Sequence, residues 1–139
     1  MTATTDLHRF RLLADVHPTL SQAVRRIVAE LDRRGHTAIV TQGARTTEQQ
    51  QALHAQGRTR PGKIVTNVDG VRRKSLHQRQ RTGYAHAVDL AWIVDARVTW
   101  EGPWGLLGEL ARAEGLIWGG DWTHFRDQPH LELPVPPEG

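Results

Sequence analysis

The sequence predicts an α+β fold with a mainly antiparallel sheet, and three observations carry that expectation. Amphipathic helical stretches are interspersed with short apolar runs along the chain. One such run turns straight back into the next as a hairpin, which makes the strands it joins antiparallel. No regular strand–helix–strand repeat is present to build a parallel sheet. At 139 residues the chain suits one domain with one hydrophobic core. Its 38% apolar and 24% charged content is that of a folded globular chain rather than a disordered one.

Residues 19–34 place Leu20, Ala23, Val24, Ile27, Val28 and Leu31 at three- and four-residue steps, the period of a helix with one apolar face. Gly35 stops it. The β-branched run "TAIVT" (37–41) is a strand. Thr46 and Gln49 form a capping box that opens a second helix, "TEQQQALHAQ", ended by Gly57. Residues 57–73 are basic, rich in turn formers and without period, so they form a loop. "AHAVDLAWIV" (85–94) reads as a buried strand, and "DAR" turns it into "VTW" to give the hairpin. Residues 103–114 form a third helix with Pro103 in its first turn, and Gly115 ends it. "HLEL" (130–133) is the last strand. The proline-rich tail 134–139 cannot continue a central strand. No internal repeat and no linker to a second domain interrupts residues 1–139.

The chain has no cysteine, which excludes disulfides, thiolate metal sites and a cysteine nucleophile. Any bound metal must be held by His, Asp or Glu. Lys and Arg number 18 against 15 Asp and Glu, and the pI is about 10.2. An anionic partner fits that balance: nucleic acid, a membrane surface or a wall polymer. The aromatic residues do not interleave with a basic stripe, so nucleic acid is not expected. No apolar run approaches the ~20 residues of a membrane span, and "MTATTDLHRF" contains no apolar signal core. Synthesis in the cytoplasm without a signal peptide is therefore expected, with any work outside the membrane following release by another route.

Two segments gather metal-ligating and acidic residues. "SLHQRQRTGYAHAVDL" carries His77, His86 and Asp89, and "DQPHLE" carries Asp127, His130 and Glu132. A catalytic zinc site uses three protein ligands and keeps a fourth position open. Two histidines and one carboxylate supply that set and leave an acid free to take a proton from water. Asp89 lies inside an apolar strand, where a carboxylate without a partner is costly.

From about Val40 to Leu133 the chain resembles the zinc-dependent peptidoglycan peptidases, a group of D-Ala-D-Ala carboxypeptidases and L-alanyl-D-glutamate endopeptidases that includes many phage endolysins. Four pieces carry the resemblance: "TQGARTTEQQQALHAQGRTRPGKIVTN" (41–67), Ser75-x-His77, Ala87-Val88-Asp89 and "GGDWTHFRDQPHLEL" (119–133). The resemblance implies a Hedgehog/DD-peptidase-like fold, Zn2+ held by His77, Asp89 and His130, and Asp127 as the catalytic base. It implies that Arg45, in the G-x-R-T motif, steadies the oxyanion of the peptide carbonyl, where a fixed cation is needed in the transition state. Ser75 and Gln42 are expected to bind substrate and Glu132 to support the metal ligands.

The family separates its histidine and aspartate by seven residues, whereas His77 and Asp89 are twelve apart, as if "RQRTG" or its equivalent were inserted. The extra segment introduces His86 as an alternative ligand. Neighbouring residues of a strand alternate faces, which would point His86 and Asp89 to opposite sides.

These readings converge on a bacteriolytic hydrolase that cuts peptidoglycan stem peptides at the L-Ala–D-Glu bond, acting as a monomer on the cell wall. The alternatives are a D-Ala-D-Ala carboxypeptidase on the same site and a non-catalytic zinc-containing wall-binding module. The long first piece of the resemblance favours the endopeptidase branch. The arginines around residues 58–60 and Lys63 are placed to meet the acidic stem.

Overall fold

A five-stranded antiparallel sheet carries the helices, as the sequence predicts. The computed structural model describes residues 8–134; the tail beyond Pro134 lies outside the described residues. β2 (Ala87–Val94) is the central strand. β1 (Thr37–Gln42) runs along one of its edges, while β5 (His130–Glu132) and β3 (Arg97–Thr99) share the other edge at opposite ends. β4 (Ile117–Trp118) pairs with β5 and completes the order β1-β2-β5-β4.

α1 (Pro18–Arg33) begins with proline at its first position, where the missing N–H is harmless. The His17 side chain caps it by accepting from the Thr19 N–H at 3.1 Å. Its buried face is Leu20, Ala23, Val24, Ile27, Val28 and Leu31, and it packs against β1 and α3 (Trp104–Ala113). Burial of each leucine there contributes about 2 kcal/mol. Gly35 ends the helix at φ +84°. α2 (Thr47–Ala55) opens with the expected capping box between Thr46 and Gln49.

Strand alternation divides the sheet into two functional faces. Val88, Leu90, Trp92 and Leu131 enter the hydrophobic core with α1 and α3. Asp89, His130 and Glu132 therefore point to the other face. The register places His130 opposite Asp89 across the β2–β5 pair. On the other edge the register shifts between Val40 and Gln42, so that Gln42 pairs with Asp89. This bulge at Thr41 brings Gln42 to the level of Asp89 and re-aims the end of β1 toward the site.

Several boundaries differ from the sequence reading. The hairpin turn is Asp95–Ala96 alone, both at positive φ (52° and 64°), and Arg97 already pairs with Val94 in β3. A two-residue hairpin turn needs that backbone shape, which Asp tolerates and Ala adopts only when the strands impose it. The central strand begins at Ala87 rather than 85, because Ala85 instead bridges to Val16. Pro103 stands at the N-cap of α3 rather than inside its first turn. β4 was not expected: two residues are too few to show an alternating pattern.

Candidate metal centre and active site

His77 sits in a tight turn before the central strand. The Ser75 Oγ accepts from the His77 backbone N–H at 3.1 Å and shapes that turn. The His77 ring is buried, and its Nδ1 donates to the Gly43 carbonyl at 2.9 Å. That bond fixes the tautomer and leaves Nε2 bare, 3.4 Å from Asp89 Oδ1. The Arg45 N–H donates to the His77 carbonyl at 2.7 Å, locking the turn to the segment after β1.

His130 presents its other nitrogen. Nε2 donates to Glu132 Oε1 at 2.7 Å, and Nδ1 faces Asp89 Oδ1 at 3.3 Å. Asp89 Oδ1 is thus buried between two imidazole nitrogens yet forms no hydrogen bond. A buried carboxylate oxygen left in that state costs free energy unless a cation completes it. One ligand atom from each of His77, Asp89 and His130 lies within 4.8 Å of the others. Donor chemistry, the bare nitrogens and the orphaned oxygen all fit a metal ion at their centre.

Electrostatics agree. Burial pushes the Asp89 carboxyl up, but His130 and His77 more than offset it and hold the group well below the ordinary carboxylate range. Burial opposes charge on His130, yet Asp89 and Glu132 outweigh it and raise the imidazole to about 9. Without a metal ion that positive charge is a proton on Nδ1, which a bound metal ion would displace to leave the nitrogen free as a ligand.

Asp127 stands at the rim, half exposed, with Oδ2 3.9 Å from His130 Nδ1. Burial raises its pKa, and the nearby Asp89 charge adds to that rise. Its loop is docked by close backbone contact. The Asp127 N–H donates to the Gly119 carbonyl at 3.0 Å, and Trp118 Nε1 donates to the Gln128 carbonyl at 2.7 Å. A Cβ on Gly119 would run into the Asp127 carbonyl oxygen.

Arg45 approaches from the opposite rim, with NH2 3.8 Å from Asp89 Oδ2. Gln42 Oε1 accepts from its Nε at 3.1 Å and Gln50 Oε1 accepts from its NH1 at 2.9 Å. Burial lowers its pKa, and the Asp89 and Asp127 charges oppose that shift; an arginine remains a cation throughout. Gln50, fully buried and anchored to the Val68 carbonyl at 2.9 Å, is a positioning residue that the sequence reading missed. Its only trace in the sequence is a polar residue on the inward side of a weakly amphipathic helix.

The structure therefore brings His77, Asp89, His130, Asp127, Arg45, Gln42 and Glu132 into one site, with Ser75 beside it. His86 is placed elsewhere. Its buried ring lies 5.3 Å from that of His17, and its Nε2 is 2.7 Å from Thr82 Oγ1. An open groove of about 450 Å³ leads away from Arg45, lined in part by Gln42, Gln56 and Arg60. Arg58 instead clamps the 57–73 loop through the His54 and Thr66 carbonyls and Asn67.

A family model described as D-alanyl-D-alanine carboxypeptidase matches residues 69–133, the span that holds His77, Asp89, Asp127 and His130. The peptidoglycan L-alanyl-D-glutamate endopeptidase CwlK of Bacillus subtilis (strain 168) is 33% identical over 131 residues, covering 86% of this chain and 74% of that protein. The crystal structure of the Serratia marcescens L-Ala D-Glu endopeptidase ChiX superposes with a TM-score of 0.59 at 25% identity, over 91% of this chain and 86% of that one. Identity at that level over most of both chains, on one shared fold, means that the protein belongs to the M15 peptidase family.

Proposed function

We propose that this chain, acting as one monomeric peptidase domain on the cell wall, hydrolyses the L-Ala–D-Glu bond of peptidoglycan stem peptides with a zinc ion held by His77, Asp89 and His130. The observation that carries the reading is the buried, unbonded Asp89 Oδ1 between two bare imidazole nitrogens, with Asp127 and Arg45 on opposite rims. Two relatives named for that cleavage, CwlK and ChiX, support the choice of bond. Among the described residues no helix is long and apolar enough to cross a membrane.

Zinc, when bound, supplies a Lewis acid that acidifies water and polarises the scissile carbonyl. Asp127 accepts the water's proton as the oxygen attacks the carbonyl carbon. Its place at the half-exposed rim, with Oδ2 3.9 Å from His130 Nδ1, suits a group that must take a proton and give it back. Arg45, held by Gln42 and Gln50, presents a fixed cation to the negative charge growing on the carbonyl oxygen. The C–N bond then breaks as Asp127 delivers its proton to the leaving amine. Glu132 keeps His130 in the tautomer whose Nδ1 is bare. Gln42, lining the groove, and Ser75, half-buried beside His77, are assigned to substrate.

Purified wall incubated with the protein tests this reading. Lysis should stop on removal of metal by a chelator and return with zinc, at about one zinc per chain. Full activity from metal-free protein would end the mechanism.

A further inference from the structure

A second concavity, of about 280 Å³, meets the site at Asp127 rather than at Arg45, and Trp100, Trp104, Arg126, Gln128 and Pro129 form its other walls. Arg126 is exposed, and among the described residues no hydrogen bond or ion pair engages its guanidinium. Its neighbour Asp121 is already bound to Arg112 through two hydrogen bonds of 3.0 and 3.1 Å. Trp104 Nε1 donates to the Trp100 carbonyl at 2.8 Å, fixing the Trp100 backbone while 56% of that residue stays exposed. The cavity thus offers one cation without a hydrogen-bonded partner and the exposed Trp100 directly beside Asp127, while Trp104, 8% exposed, belongs to the core.

The chemistry decides which part of the substrate enters. Asp127 must reach the leaving nitrogen to protonate it, so the residue that carries this nitrogen sits on the Asp127 side. On the function proposed above, that residue is D-Glu. It continues the stem through its γ-carboxyl, which leaves its α-carboxylate free on the same carbon as the leaving nitrogen. We propose that Arg126 is a specificity-determining residue that pairs with this α-carboxylate, while Trp100 covers the methylenes of the D-Glu side chain. Guanidinium and carboxylate match in charge and in planar two-point geometry. Wall polymers that carry an α-amide in place of the carboxylate would lose this pairing.

The test uses two stem peptides that differ only in carboxylate or amide at the D-Glu α-carbon, with the full zinc-loaded chain and its Arg126→Gln variant. The wild type should favour the carboxylate peptide by roughly tenfold in kcat/KM, mainly through KM, as a charge-assisted hydrogen bond of about 1.4 kcal/mol implies. R126Q should lower the carboxylate peptide to the level of the amide peptide. A preference that persists in R126Q, or none in the wild type, overturns the role of Arg126 while leaving the cleavage reading intact. Failure of the wild type to cut either peptide between L-Ala and D-Glu overturns that reading and this inference with it.

Discussion

Glu132 Oε1 accepts from His130 Nε2 at 2.7 Å, two residues along the same strand and on the same sheet face, while Nδ1 of that ring faces Asp89 at 3.3 Å. The carboxylate orients the ring and raises its basicity, as partners of metal-bound histidines do. Glu132→Ala should weaken zinc affinity by about 10–100-fold, measured by competition with a chromogenic chelator. Unchanged affinity would leave Glu132 without the supporting role assigned to it.

Asp127→Ala should keep zinc and lose turnover, since it removes a proton acceptor and no ligand. A general base commonly contributes ~10²–10⁴-fold to the rate. Metal content and initial rates on the same preparation separate the two effects. A variant running near the wild-type rate would remove Asp127 from the role of base.

Gly119→Ala tests positioning without touching a reacting group. The added methyl meets the Asp127 carbonyl oxygen, so the loop that presents Asp127 must move. A displacement of about 1 Å can cost on the order of 10²-fold in rate, while zinc occupancy should fall less than turnover, because the change removes no ligand and reaches His130 only through its N–H bond to the Asp127 carbonyl at 3.1 Å. Wild-type kinetics from this variant would show that the close approach does not position the base.

Much of this architecture was legible because local rules suffice for it. The apolar face of α1, the Thr46–Gln49 capping box and the apolar run of β2 are each written within a few turns or residues. What the sequence hid depends on long-range pairing. The Thr41 bulge sets Gln42 against Asp89 only because β1 meets β2 there. Gly43 fixes the His77 tautomer through its carbonyl from a place where a Cβ would run into the Leu12 carbonyl oxygen, and Gly119 matters only once the Asp127 loop lies on it. β4 has no existence apart from β5.

The twelve-residue interval between His77 and Asp89 offered two histidines, and the fold separates them. His77→Ala should abolish high-affinity zinc binding. His86→Ala should retain it and lower stability by roughly 1–3 kcal/mol, since it empties a buried site against His17 and Thr82. Metal analysis paired with thermal denaturation distinguishes the two. Equal metal loss in both variants would reopen the ligand assignment.

The central claim concerns one bond, and mass spectrometry of purified peptidoglycan digested by the zinc-loaded protein reads it directly. New carboxyl ends on L-Ala and matching amino ends on D-Glu, absent from the Asp127→Ala digest, are the result expected. Release of free D-Ala as the main product, with the L-Ala–D-Glu bond intact, would contradict the account and make the protein a carboxypeptidase.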